Sequence, residues 1–319
     1  MKVVITRKLP GDAEQMIRNA SHDVWIHEDD CVIPRDLLLS KVQDADALIT
    51  LLTDKVDTDL LKNAPNLKIV ANYAVGFDNI DVKACCEHNV ICTNTPDVLT
   101  EATADLTWAL MMSCARRIVE GHKMTEKGQY KGWSPSLLIG QDLWEATLGI
   151  FGAGRIGRAV AKRAKGFNMK ILYTDAFPWE EGENELNAKR VDFDELLAES
   201  DFLSLHAPLL ESTKKIMNYA AFKKMKKNSI LINAARGGLV DEADLYRALV
   251  EGEILGAGLD VYDPEPPEKN NPLLSMDQVV LAPHTGSASV NSRNGMAHLA
   301  AQNVINVLQG IDPITPIKV

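Results

Sequence analysis

Arg236, Glu265 and His284 are the residues whose types and positions suggest chemistry. Each follows a short apolar run: Arg236 after Ile230–Asn233, Glu265 after 256–261, and His284 after Val279–Leu281. Hydride addition to a ketone needs a proton donor for the developing alkoxide. Histidine suits this because its ordinary pKa lies near physiological pH. A carboxylate on the other ring nitrogen would fix the tautomer and stabilise the protonated ring. Glu265, inside Asp263-Pro264-Glu265-Pro266-Pro267, is the candidate for that part. Arg236 sits in Ala234-Ala235-Arg236-Gly237-Gly238, and its planar fork suits a carboxylate together with a polarised keto oxygen. Taken singly, each has a plain reading: a surface arginine, a turn acid, a capping histidine. Their recurrence at the ends of consecutive strands argues for a site. Of the seven histidines, His22, His27, His88, His122 and His298 lie in surface-like or helical contexts. His206 also ends a strand, read here as the third, on the adenine side of a dinucleotide site, so it is expected to line a cofactor.

Gly152-Ala153-Gly154-Arg155-Ile156-Gly157 matches the GxGxxG pattern. An apolar strand over 148–151 precedes it and a helix over 156–167 follows, the context that makes the motif a phosphate cradle. Gly152 permits the tight turn, Gly154 the close approach of pyrophosphate, and Gly157 close helix–strand packing. The helix N-terminus adds amide donors and a partial positive charge. Asp175 ends the next strand, 18 residues past Gly157, where a ribose-binding acid is expected. Its charge would repel a 2′-phosphate, and residues 176–181 contain no lysine or arginine to bind one. NAD is therefore expected over NADP.

These residues need elements to hold them. Val3-Val4-Ile5, Val24-Trp25-Ile26, Ala47-Leu48-Ile49, Leu67-Lys68-Ile69-Val70 and Val90-Ile91-Cys92 read as buried parallel strands. Amphipathic stretches, such as 36–42, separate them. An apolar helix over 100–117 follows, either buried between domains or part of a subunit interface. A second series has strands at 148–151, Lys170–Thr174, Phe202–Leu205, Ile230–Asn233, 256–261 and Val279–Leu281. Six strands alternating with helices predict a doubly wound dinucleotide-binding sheet. The last helix, Val290–Leu308, is expected to return to the first domain. That division puts a discontinuous substrate-binding domain at 1–98 and 287–319 and a cofactor domain at 99–286. In the first domain, Tyr73-Ala74-Val75-Gly76-Phe77-Asp78 follows the fourth strand, and the amides of Val75 and Gly76 are candidates for binding a substrate carboxylate.

Composition is that of a globular α/β enzyme, 46% hydrophobic and 24% charged over 319 residues. A net charge of −10 argues against nucleic acid, which needs a basic face. No apolar run approaches the about 18 residues of a membrane span, and the first residues read as a strand, not a leader. Five cysteines, Cys31, Cys85, Cys86, Cys92 and Cys114, without CxxC spacing fit a reducing compartment and no zinc site. Cytoplasm is the expected location and no metal is expected.

The chain resembles the D-isomer-specific 2-hydroxyacid dehydrogenases, most closely their glyoxylate/hydroxypyruvate reductase branch. The resemblance rests on Ala74-Val75-Gly76-Phe77-Asp78-Asn79-Ile80-Asp81, the 149–157 glycine segment, Asn233-Ala234-Ala235-Arg236-Gly237-Gly238-Leu239-Val240-Asp241, Gly258-Leu259-Asp260-Val261 and Pro283-His284-Thr285-Gly286-Ser287. It implies an α/β fold of two doubly wound parallel-sheet domains, a Rossmann cofactor domain and a flavodoxin-like substrate domain, with an interdomain cleft. It implies catalytic roles for Arg236, Glu265 and His284, with Arg236 and His284 also meeting substrate and cofactor. It implies that Asp260 meets the nicotinamide carboxamide. Further cofactor contacts are implied at Thr103, Arg155, Ile156, His206, Ala207, Pro208, Thr213, Ala234, Ala235 and Gly286. A homodimer through the 100–117 helix is implied, with Trp133-Ser134-Pro135 reaching a neighbouring subunit.

Three features bear on the placement within the family. Its members often carry an arginine-containing segment after the second strand and can use NADPH, which Asp175 puts in doubt. Glu265 disfavours formate dehydrogenase, where glutamine partners the histidine. The end at Val319 leaves no room for the regulatory domain of many phosphoglycerate dehydrogenases. The expected reaction is NADH-dependent reduction of a small 2-keto acid. The alternatives are action on 3-phosphoglycerate, D-lactate or a bulkier acid, or a non-catalytic NADH-sensing scaffold.

Overall fold

The computed structural model describes residues 1–318. The chain divides into two compact units, Met1–Leu99 with Ala288–Val319, and Thr100–Ser287. Each is described by itself.

The first unit holds five parallel strands, β1 (Lys2–Ile5), β2 (Asp23–Ile26), β3 (Ala47–Thr50), β4 (Ile69–Asn72) and β5 (Ile91–Thr93). Their order is β2-β1-β3-β4-β5, the flavodoxin-like arrangement. Every residue of β3 and β4 is buried, as parallel strands covered on both faces require. The helix Val290–Leu308 packs on β3 and β4, with Met296, Ala300, Ala301 and Val304 buried. Ser289 caps it, its side chain accepting from the Ser292 amide.

The second unit holds β6 (Thr147–Phe151), β7 (Lys170–Thr174), β8 (Lys189–Arg190), β9 (Phe202–Leu205), β10 (Ile230–Asn233), β11 (Gly256–Leu259) and β12 (Val279–Leu281). All pair in parallel in the order β12-β11-β10-β9-β6-β7-β8. This corrects the expected count of six. The added strand, β8, is two exposed charged residues with no apolar signal. The correction moves Phe202–Leu205. It is not the third strand on the adenine side but the fourth, pairing β6 on the side opposite β7.

The helix Thr100–Ala115 explains its apolar composition within this unit. It packs on β10, β11 and β12 and against the helix Arg155–Ala164. Trp108 donates its indole N–H to the Val160 carbonyl at 3.0 Å and stacks on Phe167 at 4.8 Å between centroids. Among the described residues, no helix is long and apolar enough to cross a membrane.

Candidate active site

Register sets the site. Thr174, Phe151, Leu205, Asn233, Leu259 and Leu281 lie level across the sheet, each paired to its neighbour at the C-terminal strand ends. Every candidate in this unit follows one of these residues or borders those that do. In open α/β sheets ligands bind beyond that edge.

Two of the three proposed catalytic groups meet directly. His284 Nδ1 lies 2.5 Å from Glu265 Oε1, and both side chains are about one-third exposed. With Nδ1 on the carboxylate, Nε2 is the nitrogen left to face a ligand. His284 has a left-handed backbone, φ 53°, which costs a non-glycine residue of order 1–3 kcal/mol. The surroundings impose it. Its amide donates to the Asp260 carbonyl at 2.8 Å. The Asp260 carboxylate, fully buried, accepts the Thr285 amide at 2.7 Å and the Gly286 amide at 2.8 Å. Burial outweighs these donors and raises the Asp260 pKa. Tyr262 fastens the strand preceding His284, donating its hydroxyl to the Ala282 carbonyl at 2.8 Å. Burial first, then the Asp260, Glu265 and Glu242 carboxylates, push this phenol up to about 12, so it remains a donor.

Arg236 follows β10 and is half-buried. Buried Asn233 ties its turn at both ends, donating to the Arg236 carbonyl at 2.9 Å and accepting the Ala235 amide at 3.1 Å. One Arg236 nitrogen donates to the Ala235 carbonyl at 2.7 Å. Next to it, Gly237 lies against the Tyr262 backbone. A Cβ there would stand 1.9 Å from the Tyr262 carbonyl oxygen. This glycine lets the Arg236 turn and the Tyr262–Glu265 segment touch.

The glycine loop fits a dinucleotide pyrophosphate. Gly152 has φ 96°, and a Cβ on it would meet the Ala207 nitrogen at 2.5 Å. A Cβ on Gly157 would meet the Gly152 carbonyl oxygen at 2.2 Å. Gly154 caps the helix Arg155–Ala164 and has nothing within 4 Å of its would-be Cβ, leaving an open approach beside the Arg155, Ile156 and Gly157 amides. Asp175 follows β7 and accepts the Ala153 amide at 2.7 Å and the Phe177 amide at 2.9 Å, which aims its carboxylate at the glycine loop.

The other candidates are placed as follows. His206 follows β9, half-buried, with Nε2 2.8 Å from Ser204 Oγ. Burial drives its imidazole well below its usual range, so it stays neutral. Ala207 is packed over Gly152 and Pro208 is exposed. The Thr213 hydroxyl donates to the Pro208 carbonyl at 2.7 Å and accepts the Leu210 amide at 2.8 Å, closing that loop. Ala234 and Ala235 are half-buried in the Arg236 turn. Thr103 is buried, and its methyl would lie 3.1 Å from a Cβ on Gly286. Val75 and Gly76 belong to the first unit, after β4. Asn94 and Asn72 donate to their carbonyls, each at 2.7 Å, so that loop is held from behind.

Sequence reasoning missed the fastening roles of Asp260, Asn233 and Tyr262. Asn233 carried a readable signal, an asparagine opening a short turn. It also missed Arg190, which arrives on β8 and donates to the carbonyls of Asp175 and Ala176 at 2.8 and 3.0 Å.

Comparison with known proteins gives the family. Residues 108–286 match the family model described as D-isomer specific 2-hydroxyacid dehydrogenase, NAD binding domain. The chain is 49% identical over 316 residues to the glyoxylate reductase of Thermococcus litoralis, covering 98% of this chain and 95% of that one. A crystal structure of a Thermus thermophilus protein superposes with a TM-score of 0.95 at 42% identity, covering 100% of both chains. The NADPH-dependent glyoxylate/hydroxypyruvate reductase of Sinorhizobium meliloti, crystallised with citrate, superposes with a TM-score of 0.85 at 31% identity, covering 99% of this chain and 97% of that one. The chain belongs to the D-isomer specific 2-hydroxyacid dehydrogenase family.

Proposed function

We propose that this NAD(P)-dependent oxidoreductase reduces a small 2-keto acid of the glyoxylate or hydroxypyruvate type, with NADH as the preferred reductant. The observation that carries the reading is the 2.5 Å pairing of His284 with Glu265 on a strand edge level with the Arg236 turn. The kinship to glyoxylate reductases supports the substrate class.

Bound dinucleotide supplies the electron pair and hydrogen that reach the keto carbon. Arg236 holds the substrate carboxylate and polarises the keto oxygen. His284 gives its Nε2 proton to the developing alkoxide. Glu265 steadies the ring and its positive charge. Asp260 is a positioning residue that holds the His284 loop. In the first unit, the Val75 and Gly76 amides are the proposed carboxylate donors.

A panel of keto acids tests the reading. Glyoxylate and hydroxypyruvate should be reduced fastest, ahead of pyruvate, phenylpyruvate and 3-phosphohydroxypyruvate. Activity confined to the phosphorylated or bulky acids would move the enzyme to another substrate. NADH binding without turnover of any of them would make it a scaffold.

Asp175 sets the coenzyme preference in this proposal, through ribose hydroxyls accepted and a 2′-phosphate repelled. In Asp175→Ala, the ratio of kcat/KM with NADPH to that with NADH should rise about tenfold or more, equivalent to about 1.4 kcal/mol. An unchanged ratio would remove Asp175 from this role. Gly154→Ala should leave the melting temperature unchanged, since its Cβ meets nothing, yet weaken NADH binding by intruding on the phosphate approach. A stable variant with wild-type NADH affinity would contradict the cradle.

A homodimer through the 100–117 helix region and the segment after it belongs to this proposal. Ile118, Trp133, Ile139 and Trp144 are 57, 82, 67 and 62% exposed in the single chain. All four fall within 27 residues after that helix, and a contiguous apolar patch built from them would mark an interface. Light scattering should give twice the chain mass, and Ile118→Asp with Trp133→Asp should give the monomer. A monomeric wild type would sink the dimer. All five cysteines are free, which fits a reducing compartment, and the proposed location is the cytoplasm.

A further inference from the structure

All five residues 27–31, in Ile26-His27-Glu28-Asp29-Asp30-Cys31 leaving β2, are of metal-ligating type, and the ligand atoms of His27, Asp29 and Cys31 converge. We infer that His27, Asp29 and Cys31 bind one divalent transition-metal ion of the zinc class. His27 is buried, not in the surface-like context expected for it, and this proposal departs from the expectation of no zinc site.

His27 is held in place. Its amide donates to the Ile5 carbonyl at 3.0 Å, extending the β1–β2 ladder, and the residue is only 6% exposed. The chain then turns sharply, with the Cys31 amide donating to the Asp29 carbonyl at 2.9 Å. That turn returns the Cys31 sulfur to 3.7 Å from His27 Nε2. A tetrahedral ion with metal–sulfur near 2.3 Å and metal–nitrogen near 2.0 Å separates those two ligands by about 3.5 Å. The observed 3.7 Å fits two ligands sharing one ion. The Asp29 carboxylate supplies the third donor: one ligand atom from each residue lies within 4.8 Å of the other two. Asp29 is exposed, so its side chain is free to close the remaining distance.

The donor chemistry selects the metal. Thiolate and imidazole suit zinc and its neighbours, whereas calcium and magnesium take oxygen ligands. Thiolate and carboxylate together carry two negative charges, matching a dication. Binding releases the Cys31 thiol proton to solvent while the sulfur lone pair forms the bond to the metal. Three protein ligands leave a fourth position for water. Arg7 borders the site, with Nε donating to the Cys31 carbonyl at 3.1 Å and a second nitrogen 3.8 Å from the Asp30 carboxylate. A bound ion would clasp the 27–34 connection to the sheet edge and stabilise the folded chain by mass action.

Cobalt(II) chloride is the probe, titrated into the full chain kept reduced with a non-chelating phosphine. One equivalent should produce a sulfur-to-cobalt charge-transfer band and the intense visible bands of a tetrahedral site, and zinc should displace both. Cys31→Ser, an exposed position, should abolish the charge-transfer band. Asp29→Asn should weaken binding, and Cys86→Ser should leave the spectrum unchanged. Zinc should raise the melting temperature of the wild type and not that of Cys31→Ser. Absence of the band, or its persistence in Cys31→Ser, would overturn the site and leave only a thiol–imidazole contact.

Discussion

His284→Ala loses turnover by about 10²–10⁴-fold, the range associated with a removed general acid, while NADH affinity stays close to wild type. The reasoning is local. The nitrogen given to Glu265 orients the ring, and the other nitrogen carries the proton. Nothing in the glycine loop or at Asp175 depends on that ring. Because position 284 has a left-handed backbone, His284→Asn is the better control. Asparagine tolerates that conformation, keeps the loop in place and has no proton to give at neutral pH. Both variants should be equally inactive. Glu265→Gln keeps a hydrogen-bond acceptor but removes the charge, so its loss should be smaller. Near-normal turnover in His284→Asn, or NADH binding lost along with turnover, would remove His284 from the acid role.

Gly237→Ala is expected to be the most damaging single-methyl change in the catalytic unit. The added carbon would sit 1.9 Å from the Tyr262 carbonyl oxygen and 2.0 Å from its carbon. Both partners are backbone, so neither turns aside cheaply. Overpacking of this kind costs about 1–3 kcal/mol and sometimes more. The displacement would reach both halves of the site, because Arg236 precedes Gly237 and Glu265 lies three residues beyond Tyr262. Melting should fall by several degrees, and kcat/KM should fall more than stability alone explains. A variant that melts and turns over like wild type would show that the two segments do not depend on this contact.

Much of the fold was legible because long apolar runs leave strong signals. β1 to β4, the glycine turn and the helix Val290–Leu308 follow from periodicity and turn chemistry. β8 left no such trace, since two charged residues on a sheet edge look like loop. Missing it misplaced Phe202–Leu205 and weakened the positional case against His206. The stronger distinction is environmental: His206 is held neutral by burial against Ser204, whereas His284 is paired to a carboxylate. The helix Thr100–Ala115 was legible in part. Its apolar composition has a second cause beside the proposed interface, since much of the helix covers its own sheet. The fastening roles of Asp260 and Asn233 were not legible, because they depend on amides brought close only by strand register. Taken singly, His27 and Cys31 carry no signal, and only the turn at Asp29 brings them together.

The most direct measurement follows the transferred hydrogen. Glyoxylate would be reduced with NADH deuterated at the transferable C4 position, and the product examined by mass spectrometry and NMR. One deuterium on C2 of glycolate, formed by the wild type and absent with His284→Asn, is the predicted result. Unlabelled glycolate, or NADH consumed without any 2-hydroxy acid appearing, would contradict the account.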